Sequence, residues 1–153
     1  MSDISNEADF RRILQGLATL QQRQIAAKFV EHVLPLSDDD RLDRVIKTVA
    51  DKDASEDELA GALKSAKAAT FDSHARCGAE GHWSEQAGYF VARAAVAAGT
   101  PPAQSRVGGP AWQAAMSARM AYTSMLIDDD SSQQSAHTEC EWQYQSLSDY
   151  LNV

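Results

Sequence analysis

The chain has 153 residues, 44% hydrophobic and 24% charged, with 22 acidic against 14 basic side chains and a formal net charge of −8. That is the size of one ordinary domain able to bury its own core. The charge argues against nucleic acid, whose binding draws on Lys and Arg, and against an anionic membrane surface, while no apolar run approaches the ~20 residues of a membrane span.

Every segment that looks structured has helical periodicity, and no β-branched alternation marks a strand. Residues 1–5 read as a flexible N-terminal tail and 6–153 as a single α-helical domain. A first helix from Glu7 to Leu17 places Phe10, Ile13, Leu14 and Leu17 on one face. TLQQ then reads as a capping box in which Thr19 bonds the backbone at Gln22 and Gln22 reaches back. The helix it opens carries Ile25, Phe29, Val30 and Val33, and Pro35 stops it, since a helix interior cannot accommodate the missing N–H. Asp38 to Asp40 stand where the next helix dipole is positive, ahead of the stripe Leu42, Val45, Ile46 and Val49.

SEDE, from Ser55 to Glu58, is a second capping box. Its helix runs through Leu59, Leu63, Ala66 and Thr70 toward Arg76, where Gly78 would provide a left-handed cap and Gly81 extends the break. Ser84 is expected to cap the following helix, which Gly99 ends ahead of Pro101 and Pro102. Pro110 is well placed as the first residue of the next helix. After the aspartates at 128–130, a final helix covers 132–151. Neither aspartate run has the glycine bend and closing glutamate of a calcium loop, so helix capping accounts for them.

Charge is unevenly spread: 26 charged residues lie in 1–81 and 10 in 82–153. The helices at 85–98 and 110–127 are apolar nearly all round and rich in alanine, as expected of segments surrounded by other helices. The expected fold is therefore all-α, a single-domain helical bundle of six or seven helices with these two at its centre. Arg93 and Arg119 then lie on apolar helices and each needs a partner. Glu85 is the expected partner for Arg93, and Glu139 or Glu141 for Arg119. Either arginine would alternatively serve an anion-binding pocket.

His74-x-x-Cys77 and His137-x-x-Cys140 use both cysteines of the chain. Together they would make a tetrahedral His₂Cys₂ site for zinc as the alternative to the leading expectation of no cofactor. Each pair also has an ordinary explanation. His74 and Arg76 suit a helix C-terminus, and Cys140 falls on a core stripe with Tyr144, Leu147 and Leu151, acting as a small hydrophobe. That phase turns Trp142 outward beside Asp149, and with Glu139 these residues form a candidate partner-binding surface.

There is no Walker loop, dinucleotide fingerprint, H-E-x-x-H or nucleophile elbow, no carboxylate pair stands isolated in apolar surroundings, and no catalytic residue is assigned. The leading expectation is a cytoplasmic protein-interaction module of adaptor, effector-chaperone or toxin-neutralising type, with an acidic surface. The interaction reading rests on the acidic surface, the missing catalytic motifs and the outward Trp142, and the cytoplasmic one on the polar, acidic N-terminus and the paucity of cysteine. Its partner would be a protein, a basic one among the candidates, or a second copy of the chain, with neither nucleic acid nor membrane involved. The alternatives are a metal-binding protein with the split His₂Cys₂ site, and a small-anion binder or enzyme using a buried arginine.

Overall fold

A computed structural model describes residues 4, 6–80, 83–125 and 132–152, excluding the side chains of 76–80, 83–85, 125 and 132–137. Among these residues seven α-helices follow one another, with no strand: α1 (Glu7–Gly16), α2 (Thr19–Val33), α3 (Arg41–Ala50), α4 (Glu56–Glu80), α5 (Trp83–Gly99), α6 (Gly109–Met125) and α7 (Ser132–Leu151). Short 3₁₀ turns at Leu34–Leu36 and Pro102–Gln104 take up the prolines. No helix among the described residues is long and apolar enough to cross a membrane.

The helix starts have local causes. Asn6 accepts a 2.8 Å bond from the Asp9 amide at the head of α1. Ser55 and Glu58 cap α4 reciprocally, with bonds of 3.1 and 3.0 Å. At α2 the box sits one residue earlier than expected: Ala18 is the cap and Gln21, not Gln22, accepts its N–H. Only half of the motif is therefore made, because alanine has no oxygen to return the bond. Asp39 accepts from the Arg41 amide at the start of α3. At the other end of α3, Arg23 donates 2.8 Å bonds to the carbonyls of Val49 and Asp51, satisfying groups that a helix terminus leaves open.

Two boundaries differ from expectation. α4 continues past Gly78 to Glu80. Among the described residues the left-handed glycines are Gly108 and Gly109, so Gly78 is a weak helix former carried by a long packed helix rather than a stop. Ser84 lies within α5, which starts at Trp83. Gly81 and the aspartates at 128–130 lie outside the described residues.

α5 and α6 pack on each other and between them meet every other helix. Their buried residues are mostly alanine: Ala87, Ala94, Ala95 and Ala98 on α5, and Ala111, Ala114, Ala115, Ala118 and Ala121 on α6 are all buried. Small side chains let helix axes approach. α4 joins in the same way through Ala62, Ala66, Ala69 and Ser73. The bulkier core lies toward the N-terminal helices, where Phe10, Leu14, Ile25, Phe29, Leu42 and Val49 are sealed from solvent. Ile4 joins this core ahead of α1. α6 is less enclosed than its composition suggests, since Met120 is 49% exposed. The alanine side is the buried one.

Gly108 and Gly109 turn the chain into α6 with φ of +96° and +86°. A Cβ on Gly108 would stand 2.2 Å from Cδ1 of Trp112, a ring that Phe10 and Arg11 hold on its other contacts. Gly108→Ala is expected to cost about 2–4 kcal/mol, combining left-handed strain with overpacking. Urea denaturation measures it, and a loss below about 0.5 kcal/mol would mean that the turn rebuilds freely.

Candidate functional site

Several of the candidate residues gather where α7 crosses α1, α2 and α6. The phase of α7 differs from the sequence expectation. Its innermost residues are Glu139 (1% exposed), Gln143 and Leu147 (both 0%), with Cys140 and Tyr144 half-buried on one flank and Trp142 and Tyr150 half-buried on the other. Leu151, expected inside, is 42% exposed. Glu139 is thus an interior residue and not part of an exposed contact surface. Trp142 does not project freely outward. Polar residues occupy the central line because each finds an internal partner, without which burial would be prohibitive.

Those partners form two linked groups. Arg119 Nε donates to Gln143 Oε1 at 2.7 Å, and Nη1 donates to Glu7 Oε2 at 2.7 Å. Nη2 is buried without a protein acceptor among the described residues. Gln143 Nε2 donates to the Ala115 carbonyl at 3.0 Å, pinning α7 to α6. The guanidinium lies over the rings of Phe10 and Tyr144, at 5.4 and 5.9 Å, where cation–π attraction adds to the ion pair. Burial opposes the arginine's charge, but its bond to Glu7 and the nearby ionisable groups more than compensate, and its pKa is raised. The expectation that Arg119 would pair with Glu139 or Glu141 is therefore met differently: the carboxylate comes from α1.

Glu139 pairs with His32 of α2. Nδ1 stands 2.9 Å from Oε2 and 3.2 Å from Oε1, with hydrogen-bonding geometry satisfied at Oε1. The imidazole stacks flat on Trp142, ring centres 3.6 Å apart and planes 9° from parallel. Phe29 meets the same indole edge-on at 6.5 Å. Trp142 is therefore clamped between α7 and α2.

Burial pushes the Glu139 carboxyl above its ordinary 4.5, against the pull of His32, Gln143 and Arg119. A carboxyl raised in the fold favours folding while protonated. Its contribution is whole below the ordinary value and is lost as pH rises through the folded value. Glu139→Gln keeps the shape but cannot ionise. Its stability relative to the native chain is expected to increase as pH climbs from below 4.5 toward neutrality, read by urea denaturation across a pH series. A difference that stays flat or declines would show that pairing with His32 outweighs burial.

Beside this clamp a trough of about 730 Å³ opens between α2 and α7. Trp142 and Asp149 line it together with Lys28, Tyr150 and Leu151. Its walls are braced: Tyr150 donates to Gln24 at 2.8 Å and Gln145 to Asp149 at 2.8 Å.

The remaining expected site residues lie apart. Arg93 lines a second trough between α4, α5 and α6, its guanidinium 5.8 Å from the Tyr89 ring centre. The structure does not bring it to Arg119, and its expected partner Glu85 lies outside the described side chains. His74 borders the same second trough, 5.4 Å from Tyr89. Cys140 instead sits beside Tyr144 and Arg119, whose ionisation it influences. Cys77 and His137 lie outside the described side chains. Among described residues no group of three or more His, Cys, Asp or Glu is placed to hold a metal.

Sequence reasoning missed Glu7, His32 and Gln143. Glu7 had the look of a helix-start charge, and His32 had no companion nearby in the chain. Gln143 carried one usable signal, its four-residue spacing from both Glu139 and Leu147.

The fold and these contacts define an all-α, single-domain helical bundle with a buried polar seam and open surface troughs. No family model, curated protein or solved structure matches the chain, so its function is argued from its own residues.

Proposed function

We propose that the protein is a cytoplasmic protein-interaction module that receives a protein partner in the trough between α2 and α7. The observation that carries this reading is the shared position of Trp142, Asp149 and Leu151 on one open, braced surface. An aromatic face fixed by His32 and Phe29 loses little freedom when a partner covers it, which is the behaviour of an interface anchor. The acidic surface would speed encounter with a basic partner. Against an enzyme stands the use of the largely enclosed Arg119 and the buried Glu139 as supports that tie α1, α2, α6 and α7 together.

The rim tests this without disturbing the clamp. Asp149→Arg combined with Leu151→Asp changes two exposed side chains and is expected to leave the melting temperature unchanged. A partner that purifies stoichiometrically with the native chain from cells should be lost with the double variant. Trp142→Ala should lose it too, with a measurable loss of stability because the ring also packs on His32. If the native chain and the rim variant recover the same proteins, this trough is not the contact surface.

A further inference from the structure

The second trough, about 720 Å³, has a character opposite to that of the whole chain. α4 contributes Lys67, Phe71 and His74, one helical face at spacings of four and three. α5 contributes Tyr89 and Arg93, again four apart, and Arg106 comes from the loop ahead of α6. No carboxylate lines it among the described residues, in a protein with a net charge of −8. The neighbouring Asp72 is occupied elsewhere, accepting from Arg41 at 3.0 Å. At physiological salt the acidic background is screened beyond about 8 Å, so a ligand in the trough meets chiefly these cations.

Several neutral polar groups of the walls are engaged by backbone carbonyls. Thr70 donates to the Ala66 carbonyl, Thr100 to Val96 and Gln113 to Val107. Recognition of an anionic ligand there therefore falls chiefly to the charged side chains. Apolar surface stands beside them: Phe71 is 74% exposed on the trough, and Val107, next to Arg106, is 78% exposed. An open trough would leave a small anion largely hydrated, whereas small-molecule sites enclose most of their ligand. Cations flanked by a bare aromatic ring suit a polypeptide that carries both carboxylates and an apolar side chain.

We propose that the trough between α4, α5 and α6 binds an acidic segment of a protein partner, its carboxylates meeting Lys67, Arg93 and Arg106 and an apolar side chain covering Phe71. This surface is separate from the one between α2 and α7.

Fluorescence anisotropy with the full chain and a labelled peptide rich in Glu, Asp and Leu tests it, beside a control peptide with Lys in place of the acids. The acidic peptide is expected to bind, more weakly as salt is raised, and the basic one not to bind. Lys67→Glu with Arg106→Glu, both exposed positions, should weaken binding at least about tenfold with no change in melting temperature. Phe71→Ser should weaken it several-fold. Trp142→Ala should leave it intact, which separates this result from the fate of the other trough. No binding, equal binding of the basic peptide, or indifference to the charge reversals would overturn the proposal. Displacement of the peptide by inorganic phosphate, with Phe71→Ser harmless, would replace it with a small-anion site. A dimer of the unliganded chain abolished by the charge reversals would replace it with self-association.

Discussion

Arg119→Ala is expected to cost about 2–4 kcal/mol of stability, from the lost bonds to a charged group and the buried acceptor they leave stranded together with the lost cation–π contacts. The substitution removes the donors to Glu7 and Gln143 and withdraws a cation from two rings. The larger part of the loss comes from what remains. Gln143 is 0% exposed, so its Oε1 would be left buried without its donor, which costs more than the bond itself contributed. Glu7 is half exposed and can recover water, so Glu7→Gln should cost much less. Arg119→Lys keeps the charge but not the planar fork, and should fall between the two. Urea denaturation of the three variants gives the order. A loss for Arg119→Ala below about 1 kcal/mol would mean that the seam behaves as a surface ion pair.

Phe10→Ala is expected to cost ~3–5 kcal/mol, as for large aromatic truncations in cores. Phe10 is 0% exposed and meets Tyr144 at 5.0 Å, Phe29 at 5.9 Å and Trp112 at 6.2 Å, besides lying under Arg119. One ring thus joins α1 to α2, α6 and α7. Phe10→Leu should recover much of the loss by filling most of the volume. Because Phe10 and Arg119 touch, the double alanine variant should depart from additivity. Additive losses would show that the ring and the guanidinium contribute independently.

The helices were legible because their signals are local. Ser55 with Glu58, Pro35, Gly99 and Pro110 each act within a few residues, and the amphipathic stripes of α2 and α3 face inward as their periodicity requires. The alanine content of α5 and α6 likewise identified the centre. Gly78 misled because a glycine in a long helix and a glycine at its end look alike in sequence, and the backbone conformation that separates them depends on packing. α7 misled for a different reason. Glu139 and Gln143 are polar, so an apolar-stripe reading rotates the helix to favour Cys140 and Tyr144. The true phase depends on Arg119, His32 and Glu7, distant in the chain. Both troughs were invisible as assemblies, since each draws its walls from separate helices, although Trp142 and Asp149 could be placed on one surface and Arg93 and His74 singled out separately.

The alanine interface of α5 with α6 leaves the molecule with an inverted pattern of tolerance to change. Alanine surrenders almost no rotameric entropy when it is covered, so the middle is cheap to order, but it also leaves no slack. A single added methylene at Ala94 or Ala115, both fully buried, would overpack the interior, whereas exposed residues on the walls of the troughs can vary in size and charge without disturbing it. Diversification by mutation is thereby channelled to the outer helices, and new binding preferences can arise there while the scaffold stays fixed.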